Sequence, residues 1–233
     1  YEVIGFDREE SLTDLGERVK MADAVIHLAG VNRPTNVEEF AEGNADLTAR
    51  LCDFIADTGR KIPLIVASSI QAELTNPYGQ SKRAAEEYTE QLAGRTGNPV
   101  TIYRLPNVFG KWCRPNYNSV VATFCHNLAN DLPIQINDPN AQLSLVYVDD
   151  VVADFLAALA ADLPGVRRAR VQPEYTIRLG DLADQLCAFR NCRNSLLTER
   201  VGTGLVRALY ASYVSYLPPA SFAYELSRHA DER

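Results

Sequence analysis

Residues 63–82 read PLIVASSIQAELTNPYGQSK, and their pattern predicts a strand, a loop and the start of a helix in succession. The apolar run Leu64–Ala67 predicts a buried strand, which ends at Ser68 and Ser69. A polar loop follows, and Asn76-Pro77 predicts the start of a helix because proline favours the first helical position. Two hydroxyl groups at a strand end are therefore expected to face the first turn of a helix.

Three side chains of this segment suit proton transfer at an alcohol or ketone oxygen. Tyr78 and Lys82 are four residues apart and share one helix face, which Ser69 would approach from the strand end. A free tyrosine has a pKa of about 10, and an ammonium group one turn away would lower it, so that Tyr78 could exchange a proton with the oxygen. We expect Ser69 to hydrogen-bond the same oxygen. The hydride has to come from a cofactor, because no side chain supplies one.

Strands alternate with helices along the first half of the chain. Tyr1–Asp7, Ala24–Leu28 and Val100–Leu105 predict further strands, while Ser11–Val19 predicts a short helix. Apolar residues at helical spacing predict one long helix over about 36–58. Because this alternation lacks hairpin turns, it indicates an α/β fold with a parallel, doubly wound sheet.

The pattern becomes less regular in the second half of the chain. It predicts a polar loop over 106–118, a helix over about 119–130 and a short strand near Ile134–Ile136. The run LVYVDDVV (145–152) then predicts a strand that leads into a helix. Later, irregular segments of this kind often form a substrate-binding lobe. We therefore expect one domain over residues 1–220, with the lobe mainly from 106 onward.

Small or polar residues follow each predicted strand of the sheet. These strand ends carry Asp7, Ala29-Gly30, Ser68-Ser69 and Leu105-Pro106-Asn107. Ligands of open parallel sheets bind at the carboxyl ends of the strands, so these residues predict a cofactor crevice. Asp7 by itself is more often an ordinary acidic loop residue.

The composition excludes several classes of partner. The 233 residues are 46% hydrophobic and carry a net charge of −7 without a basic run, which argues against nucleic acid or an anionic membrane as partner. No apolar stretch approaches the roughly 20 residues of a membrane span. The five cysteines are scattered, which favours reduced thiols in the cytoplasm. With three histidines in all, we expect no metal site.

Sequential blocks of this chain resemble the extended short-chain dehydrogenases/reductases that act on nucleotide sugars, the NAD-dependent epimerase/dehydratase family. These blocks are VIHLAG (25–30), SS (68–69), YGQSK (78–82), RLPNVFG (104–110) and LVYVDDV (145–151). A second set more narrowly resembles the bacterial capsular-polysaccharide reductases of the UDP-N-acetyl-L-fucosamine pathway. It comprises AGVNRP (29–34), SSIQA (68–72), NPYGQSK (76–82) and NVFGKWCRPNYNSVVATFCHN (107–127).

The resemblance implies a Rossmann-type domain and a reduction. The family reduces a UDP-2-acetamido-2,6-dideoxy-4-hexulose to the corresponding L-talose sugar with NADPH, and NADH is the alternative donor. It further implies a UDP-sugar as partner and a homo-oligomer for the full-length protein. The sugar stereochemistry and the choice between NADPH and NADH stay open at this point.

The resemblance also assigns roles to individual residues. The implied catalytic residues are Ser69, Tyr78 and Lys82. The implied cofactor-binding residues are Asp7, Arg8, Leu28, Ala29, Gly30, Asn44, Lys82, Leu105 and Pro106. The implied substrate-binding residue is Asn107, and Arg114, Asn116 and Asn118 are further substrate-binding candidates, because arginine suits a diphosphate and asparagine suits an acetamido group. Arg8 would accept a 2′-phosphate unless it is a solvated surface residue, and a polar loop held by its own asparagines is the alternative for the substrate loop.

The sequence departs from the family pattern in three places. It begins at what resembles the second strand of the family, so we expect an N-terminally truncated sheet without the glycine-rich turn that binds a pyrophosphate. Leu143 stands where the family usually carries an arginine, which gives Arg114 more weight. Residues 221–233 resemble the beginning of a cupin-like domain, to which His229 and Asp231 would belong.

Rival activities make different demands on the residues after Ser69. A nucleotide-sugar 4,6-dehydratase needs an acid pair directly after the catalytic hydroxyl, and Ile70-Gln71 provides none. A combined epimerase-reductase needs a cysteine or histidine acid, for which Cys125-His126 is the candidate, although such helix positions are more often core. A 4-epimerase with the same three catalytic residues stays open, as does a non-catalytic dinucleotide-sensing module.

Overall fold

The computed structural model describes residues 1–161 and 163–222, with side chains left out for 193 and 194. The strands are β1 Val25–His27, β2 Leu64–Ser69, β3 Val100–Leu105, β4 Asn107–Phe109, β5 Gln142–Tyr147, β6 Val166–Ala169 and β7 Glu174–Arg178. The α-helices are α1 Leu12–Met21, α2 Glu38–Phe40, α3 Leu47–Asp57, α4 Pro77–Thr96, α5 Val120–Ala129, α6 Val148–Ala161, α7 Leu179–Ser195 and α8 Gly204–Val214. Short 3₁₀ segments cover Ile70–Glu73 and Pro219–Phe222.

The described residues form two compact units. The first contains Tyr1–Pro106 and Val152–Val171, and the second contains Asn107–Val151 and the described residues from Gln172 onward. The second unit begins at Asn107, and a substrate-binding lobe mainly from 106 onward stays a prediction. Residues 152–171 return to the first unit, however, because β6 pairs with β3 of the parallel sheet.

The first unit is built on a parallel sheet in the order β1-β2-β3-β6. Alternate residues of a strand point to opposite faces. Val66 and Ile102 face a core that includes α1, α3 and α4, whereas the Tyr103 ring lies against Phe155 of α6, with the ring centroids 4.7 Å apart. Helices cover both faces, so the expected doubly wound α/β sheet of Rossmann type is confirmed.

The second unit contains a three-stranded sheet in the order β4-β5-β7. The β4–β5 pair is parallel and the β5–β7 pair is antiparallel. Its apolar core joins strand residues such as Phe109 and Leu145 to residues of α5, α7 and α8, including Leu186 and Leu209. The sequence patterns did not predict β6, β7, α7 or α8.

The helix predicted over 36–58 is confirmed as a continuous helical stretch with an unexpected interruption. Residues Ala41–Asp46 between α2 and α3 form a π-helix, in which the hydrogen bonds span five residues. Asn44 lies inside this segment and is almost completely buried. Apolar periodicity does not reveal a π segment, because the apolar residues on either side still lie on one face.

Two predicted strands are wrong. Tyr1–Asp7 pairs with no described strand, and Tyr1 and Val3 are 95% and 87% exposed, so its alternating pattern has neither a ladder nor a buried face. Ile134–Ile136 is irregular, and Asn107–Phe109, inside the predicted loop 106–118, pairs with β5 instead. The cupin-like segment predicted over 221–233, with His229 and Asp231, lies outside the described residues from 223 onward.

Candidate active site

Helix α4 begins where the sequence predicts, and three residues fix its start. The side chain of Asn76 accepts a hydrogen bond of 2.7 Å from the backbone N–H of Gly79, and Pro77 follows at the first helical position. A Cβ atom on Gly79 would lie 2.2 Å from the carbonyl oxygen of Gln71. The absence of a side chain at Gly79 therefore lets the first turn of α4 pack directly on the 3₁₀ turn that follows β2.

Ser69 lies at the carboxyl end of β2 and begins that 3₁₀ turn. Its hydroxyl oxygen accepts a 3.2 Å hydrogen bond from the backbone N–H of Gln71. A side-chain hydrogen bond also joins Ser69 to Tyr78 and acts to lower the pKa of the phenol. The structure thus brings the hydroxyl groups of Ser69 and Tyr78 together, as the sequence predicts.

Tyr78 is half-buried, and its ring packs against Phe40 of α2 with a centroid distance of 5.6 Å. Burial raises the pKa of Tyr78 and outweighs the hydrogen bond from Ser69. The expectation of a net lowering of this pKa is therefore wrong for the ligand-free chain, because burial sets the direction of the shift. At neutral pH the structure favours Tyr78 as a protonated phenol, which is a proton donor.

Lys82 is buried one helical turn after Tyr78. Its ammonium donates a 3.0 Å hydrogen bond to the carbonyl oxygen of Ala67 in β2. Burial lowers the pKa of Lys82 to about 8, and the carboxylate of Glu86 acts in the opposite direction. Lys82 is therefore mostly protonated at neutral pH but lies much closer to its titration point than an exposed lysine.

The π-helical Asn44 joins two parts of the site. Its amide nitrogen donates 2.9 Å hydrogen bonds to the Val31 carbonyl and to the Ser81 hydroxyl, and its amide oxygen accepts one from the Val31 N–H. Ser81 in turn donates to the carbonyl oxygen of Tyr78 at 2.8 Å. Asn44 therefore holds the loop after β1 against the helix that carries Tyr78 and Lys82.

A further group of polar residues surrounds Glu86, one turn after Lys82 on α4, and it was not among the predicted site residues. The Glu86 carboxylate accepts hydrogen bonds from Ser68 and from Arg104, whose Nη2 lies 2.7 Å from Glu86 Oε2. Arg104 also pairs with Glu73 of the 3₁₀ turn at 3.1 Å. The sequence signal for Glu86 was its spacing, because it lies four residues after Lys82 on the same helix face.

A family model described as the NAD dependent epimerase/dehydratase family matches residues 3–171 of the chain. The chain belongs to the NAD-dependent epimerase/dehydratase family. The matched range contains Ser69, Tyr78, Lys82 and the strand ends around them. The recognition of this family from its sequence blocks is thereby confirmed.

Two relatives match the chain over nearly its whole length. It is 54% identical over 232 residues to the UDP-2-acetamido-2,6-beta-L-arabino-hexul-4-ose reductase of Pseudomonas aeruginosa strain PA103, covering 100% of this chain and 62% of that protein. It is 39% identical to the capsular polysaccharide assembling protein CapF from Staphylococcus aureus, with a TM-score of 0.85, covering 97% of this chain and 62% of that one. The chain thus spans less than two thirds of either relative.

A third comparison reports on the fold alone. MoeE5, solved in complex with UDP-glucose and NAD, matches with a TM-score of 0.75 at 19% identity, covering 92% of this chain and 85% of that chain. The two solved structures thus agree with the Rossmann-type fold described above.

Several strand-end residues of this family member suit a nicotinamide dinucleotide. A Cβ atom on Gly30 would lie 2.6 Å from Asn44 Oδ1 and 3.3 Å from Lys82 Nζ, so the chain leaves room there only for a glycine. Leu28, Ala29 and Gly30 are exposed just after β1. Leu105, the last residue of β3, and Pro106, which follows it, are half-buried, and β3 is parallel to β1 in the same sheet.

Asp7 and Arg8 do not follow a strand of the sheet. The backbone N–H of Asp7 donates a 2.8 Å hydrogen bond to the Glu10 carboxylate, and the N–H of Arg8 donates a 2.7 Å hydrogen bond to the Asp7 side chain. Both residues are exposed in the turn before α1. Their contact with a cofactor stays a prediction.

The four predicted substrate residues all belong to the second unit and are exposed. Asn107 donates a 3.2 Å hydrogen bond to the Ser144 carbonyl, and the Arg114 guanidinium lies 5.2 Å from the centroid of the Tyr117 ring. Asn116 has a left-handed backbone (φ 55°), and its N–H donates to Thr123. Asn118 completes the set in the same loop. Their binding role stays a prediction.

Other expectations concern the whole chain. No group of His, Cys, Asp and Glu among the described residues could hold a metal ion, and that the chain binds no metal stays a prediction. All five cysteines, each within the described part of the chain, are free thiols. None of the helices in the described ranges is long and apolar enough to cross a membrane.

Proposed function

We propose that the chain forms the reductase domain of an enzyme that reduces the 4-keto group of a UDP-2-acetamido-2,6-dideoxy-hexulose to the L-talose sugar. NADPH is the proposed donor, with NADH as the alternative, and the product serves N-acetyl-L-fucosamine synthesis for capsule or O-antigen. The observation that carries the proposal is the cluster of Ser69, Tyr78 and Lys82 at the carboxyl edge of the parallel sheet.

The state of the phenol supports reduction. Tyr78 has a raised pKa and is protonated at neutral pH, as a group that gives a proton to a carbonyl oxygen must be. The hydrogen bond between Ser69 and Tyr78 puts both hydroxyl groups within reach of one substrate oxygen. Lys82, one turn away, would stabilise the phenolate left after the transfer. Solvent then returns the proton to Tyr78.

The chain's residues fit a nicotinamide cofactor, which when bound supplies the hydride. Gly30 allows close approach beside Lys82 and Asn44. Lys82 Nζ has three donors, and among the described residues it bonds only the Ala67 carbonyl, so two remain for the ribose hydroxyls. Arg8 is the proposed partner of a 2′-phosphate, which would favour NADPH.

The proposed substrate rests on the P. aeruginosa relative, a hexul-4-ose reductase that is 54% identical to this chain. Arg114 is the proposed partner of the diphosphate, because a guanidinium binds phosphate oxygens in pairs. Asn107, Asn116 and Asn118 are the proposed partners of the sugar. We also propose a cytoplasmic location and a homo-oligomeric full-length protein.

A 4-epimerase with the same residues is the second candidate, and the phenol argues against it. An epimerase first removes a proton from an alcohol, which requires Tyr78 as a phenolate. The raised pKa of Tyr78 disfavours that form in the ligand-free chain. A dinucleotide-sensing module, the third candidate, has no need of a proton donor.

The test follows NADPH absorbance in the natural protein that contains this chain, mixed with the UDP-4-keto-6-deoxy sugar. We expect oxidation of NADPH that is lost in Tyr78→Phe and retained in Tyr88→Phe, an exposed tyrosine on the same helix. Nucleotide binding without oxidation across several keto-sugars would favour the sensing module. Interconversion of 4-epimers without net oxidation of NADPH would favour the epimerase.

A further inference from the structure

Glu86 lies at the centre of a hydrogen-bonded group that spans three elements of the first unit. Only 2% of its side chain is exposed. Arg104 Nε–H donates one bifurcated hydrogen bond to the two carboxylate oxygens, at 3.0 and 3.2 Å, and Arg104 Nη2 donates a second hydrogen bond at 2.7 Å. The carboxylate also accepts one from Ser68 at the end of β2. A buried carboxylate needs partners of this kind, because an unpaired buried charge is strongly unfavourable.

The position of this group relates it to the site. Tyr78, Lys82 and Glu86 follow one another at four-residue intervals on α4, so they share one helix face. Arg104, which holds the far side of Glu86, also pairs with Glu73 in the turn that Ser69 begins. The group thus joins the helix that carries Lys82 to the turn that carries Ser69.

The charged and titratable groups around Lys82 come from several elements. Glu86 and Tyr78 belong to its own helix, and His27 faces it from β1. Burial and, to a smaller extent, the charge of Lys82 together lower the pKa of His27 to about 4, so His27 is neutral at pH 7. The remaining neighbours, Asn44 and the Ala67 carbonyl, are uncharged. Among the described residues, Glu86 is the anion that favours the charged form of Lys82.

We propose that Glu86, held in place by Arg104, is a positioning residue that keeps Lys82 as an ammonium ion next to Tyr78. The inference rests on the proposed function, since it assigns Glu86 to the reaction of that same site. Glu86 itself touches neither the substrate nor the cofactor in this account and acts through Lys82. A purely structural ion pair between α4 and β3 is the alternative.

The first test is Glu86→Gln in the natural protein, with the pH dependence of turnover as the readout. Loss of a nearby opposite charge lowers a lysine pKa by about one unit or more. Turnover in Glu86→Gln should then be about fivefold lower than in the unmodified protein at pH 8 and nearly equal at pH 6, since a shift of one unit acts only near the pKa. The falling limb, which is the part of the pH profile where turnover declines toward high pH, should therefore move to lower pH in Glu86→Gln.

Glu90→Gln is the matched control. Glu90 lies one turn further along α4 and forms an ion pair with Arg168 of β6, so its removal also breaks a link between α4 and the sheet. We expect its pH profile to stay unchanged. If both variants, or neither, move the falling limb, the proposal is overturned.

Arg104→Gln tests the same proposal from the other side and covers the outcome that Glu86→Gln fails to fold. Without the guanidinium, the buried Glu86 carboxylate loses its counter-ion and favours the protonated form, so the falling limb should move to lower pH, as in Glu86→Gln. A structural ion pair predicts instead that both variants lower stability and leave the limb where it is. A limb that stays in place or moves to higher pH in Arg104→Gln overturns the proposal.

A direct titration separates this proposal from the proposed function. The ¹³C-methylene signal next to Nζ in ¹³C-lysine-labelled protein, assigned through its loss in Lys82→Met, reports the protonation of Lys82 without any substrate. If the unmodified protein oxidises no NADPH, the proposed function fails while this titration still decides the role of Glu86. An identical Lys82 titration in Glu86→Gln overturns the inference.

Discussion

The regions around Tyr78 and around Arg114 differ in how their side chains are held. Lys82, Asn44 and Glu86 are buried, and each is bonded to another element of the first unit. Arg114, Asn116 and Asn118 of the second unit are exposed in one loop, where Arg114 lies against the ring of its neighbour Tyr117. One region is fixed by folding, whereas the other presents groups to solvent.

This difference predicts that the two regions contribute to different steps, the first to proton transfer and the second to substrate binding. Side chains that are ordered by folding need no further ordering at the moment of reaction, which favours proton transfer because that step depends on geometry. Exposed loop residues lose their conformational freedom only when a ligand binds. We therefore expect substitutions in the first region to change turnover or stability, and substitutions in the second to change substrate affinity.

Tyr78→Phe should have the largest effect and tests the first half of this comparison. Removal of a general acid typically costs 10²–10⁴-fold in rate, and we expect a loss of about 10³-fold in kcat. The fold and nucleotide binding should be retained, because the ring contact with Phe40 does not need the hydroxyl. Turnover within threefold of the unmodified protein, about 0.6 kcal/mol in barrier, would contradict the role of Tyr78.

His27 should make the stability of the first unit depend on pH. Its pKa is about 4 in the folded chain against 6.5 in the unfolded chain, so between these values the unfolded chain binds the extra proton. The unfolding free energy should fall by about 3 kcal/mol as the pH drops from 6.5 to 4, and this contribution should change no further below 4. In denaturant unfolding experiments, the unfolding free energy of His27→Gln should lack this part of the pH dependence. An equal pH dependence in both proteins would contradict the assignment.

Gly79→Ala should strain the contact between α4 and the turn after β2. The new Cβ would lie 2.2 Å from the Gln71 carbonyl oxygen, so we expect a loss of about 1–3 kcal/mol in unfolding free energy, together with reduced turnover. Gly94→Ala on the same helix is the control, since its Cβ would meet nothing within 4 Å. That variant should be more stable by about 0.5–1 kcal/mol. Equal effects of the two substitutions would show that packing at Gly79 is unimportant.

Arg114→Ala should have the smallest effect and tests the second half of the comparison. Loss of a charged hydrogen bond to a diphosphate is expected to raise KM about tenfold and to leave kcat nearly unchanged. The KM of Arg114→Lys should lie between those of the unmodified protein and Arg114→Ala, because lysine keeps the charge but lacks the paired donors. A fall in kcat at unchanged KM would remove the distinction between the two regions.

The sequence was sufficient for those parts of the fold and site that depend on local pattern. Asn76-Pro77 predicted the start of α4, and the four-residue spacing placed Tyr78 and Lys82 on one face. The pairing of strands that are distant in sequence was harder to predict. Residues 1–7 have a strand pattern but pair with no described strand, and Asn107–Phe109 pairs with β5 despite its polar surroundings.

The electrostatics of the site could not be predicted from spacing alone. The spacing predicted that Lys82 would lower the pKa of Tyr78. In the ligand-free chain, burial is instead the largest influence on both pKa values, raising that of Tyr78 and lowering that of Lys82. Burial depends on the packing of Phe40, Asn44 and β2 around the pair, which is a property of the whole unit. Glu86 was visible in the spacing, yet its importance depends on Arg104, which is 18 residues away in sequence.

The π segment Ala41–Asp46 constrains how this helix tolerates insertions and deletions. A π turn accommodates one more residue than a regular turn, so removal of a single residue from it would restore an ordinary α-helix. The same deletion would rotate the Asn44 amide away from Val31 and Ser81, although every apolar contact of α3 could persist. A length change that favours the helix would thus release the loop after β1.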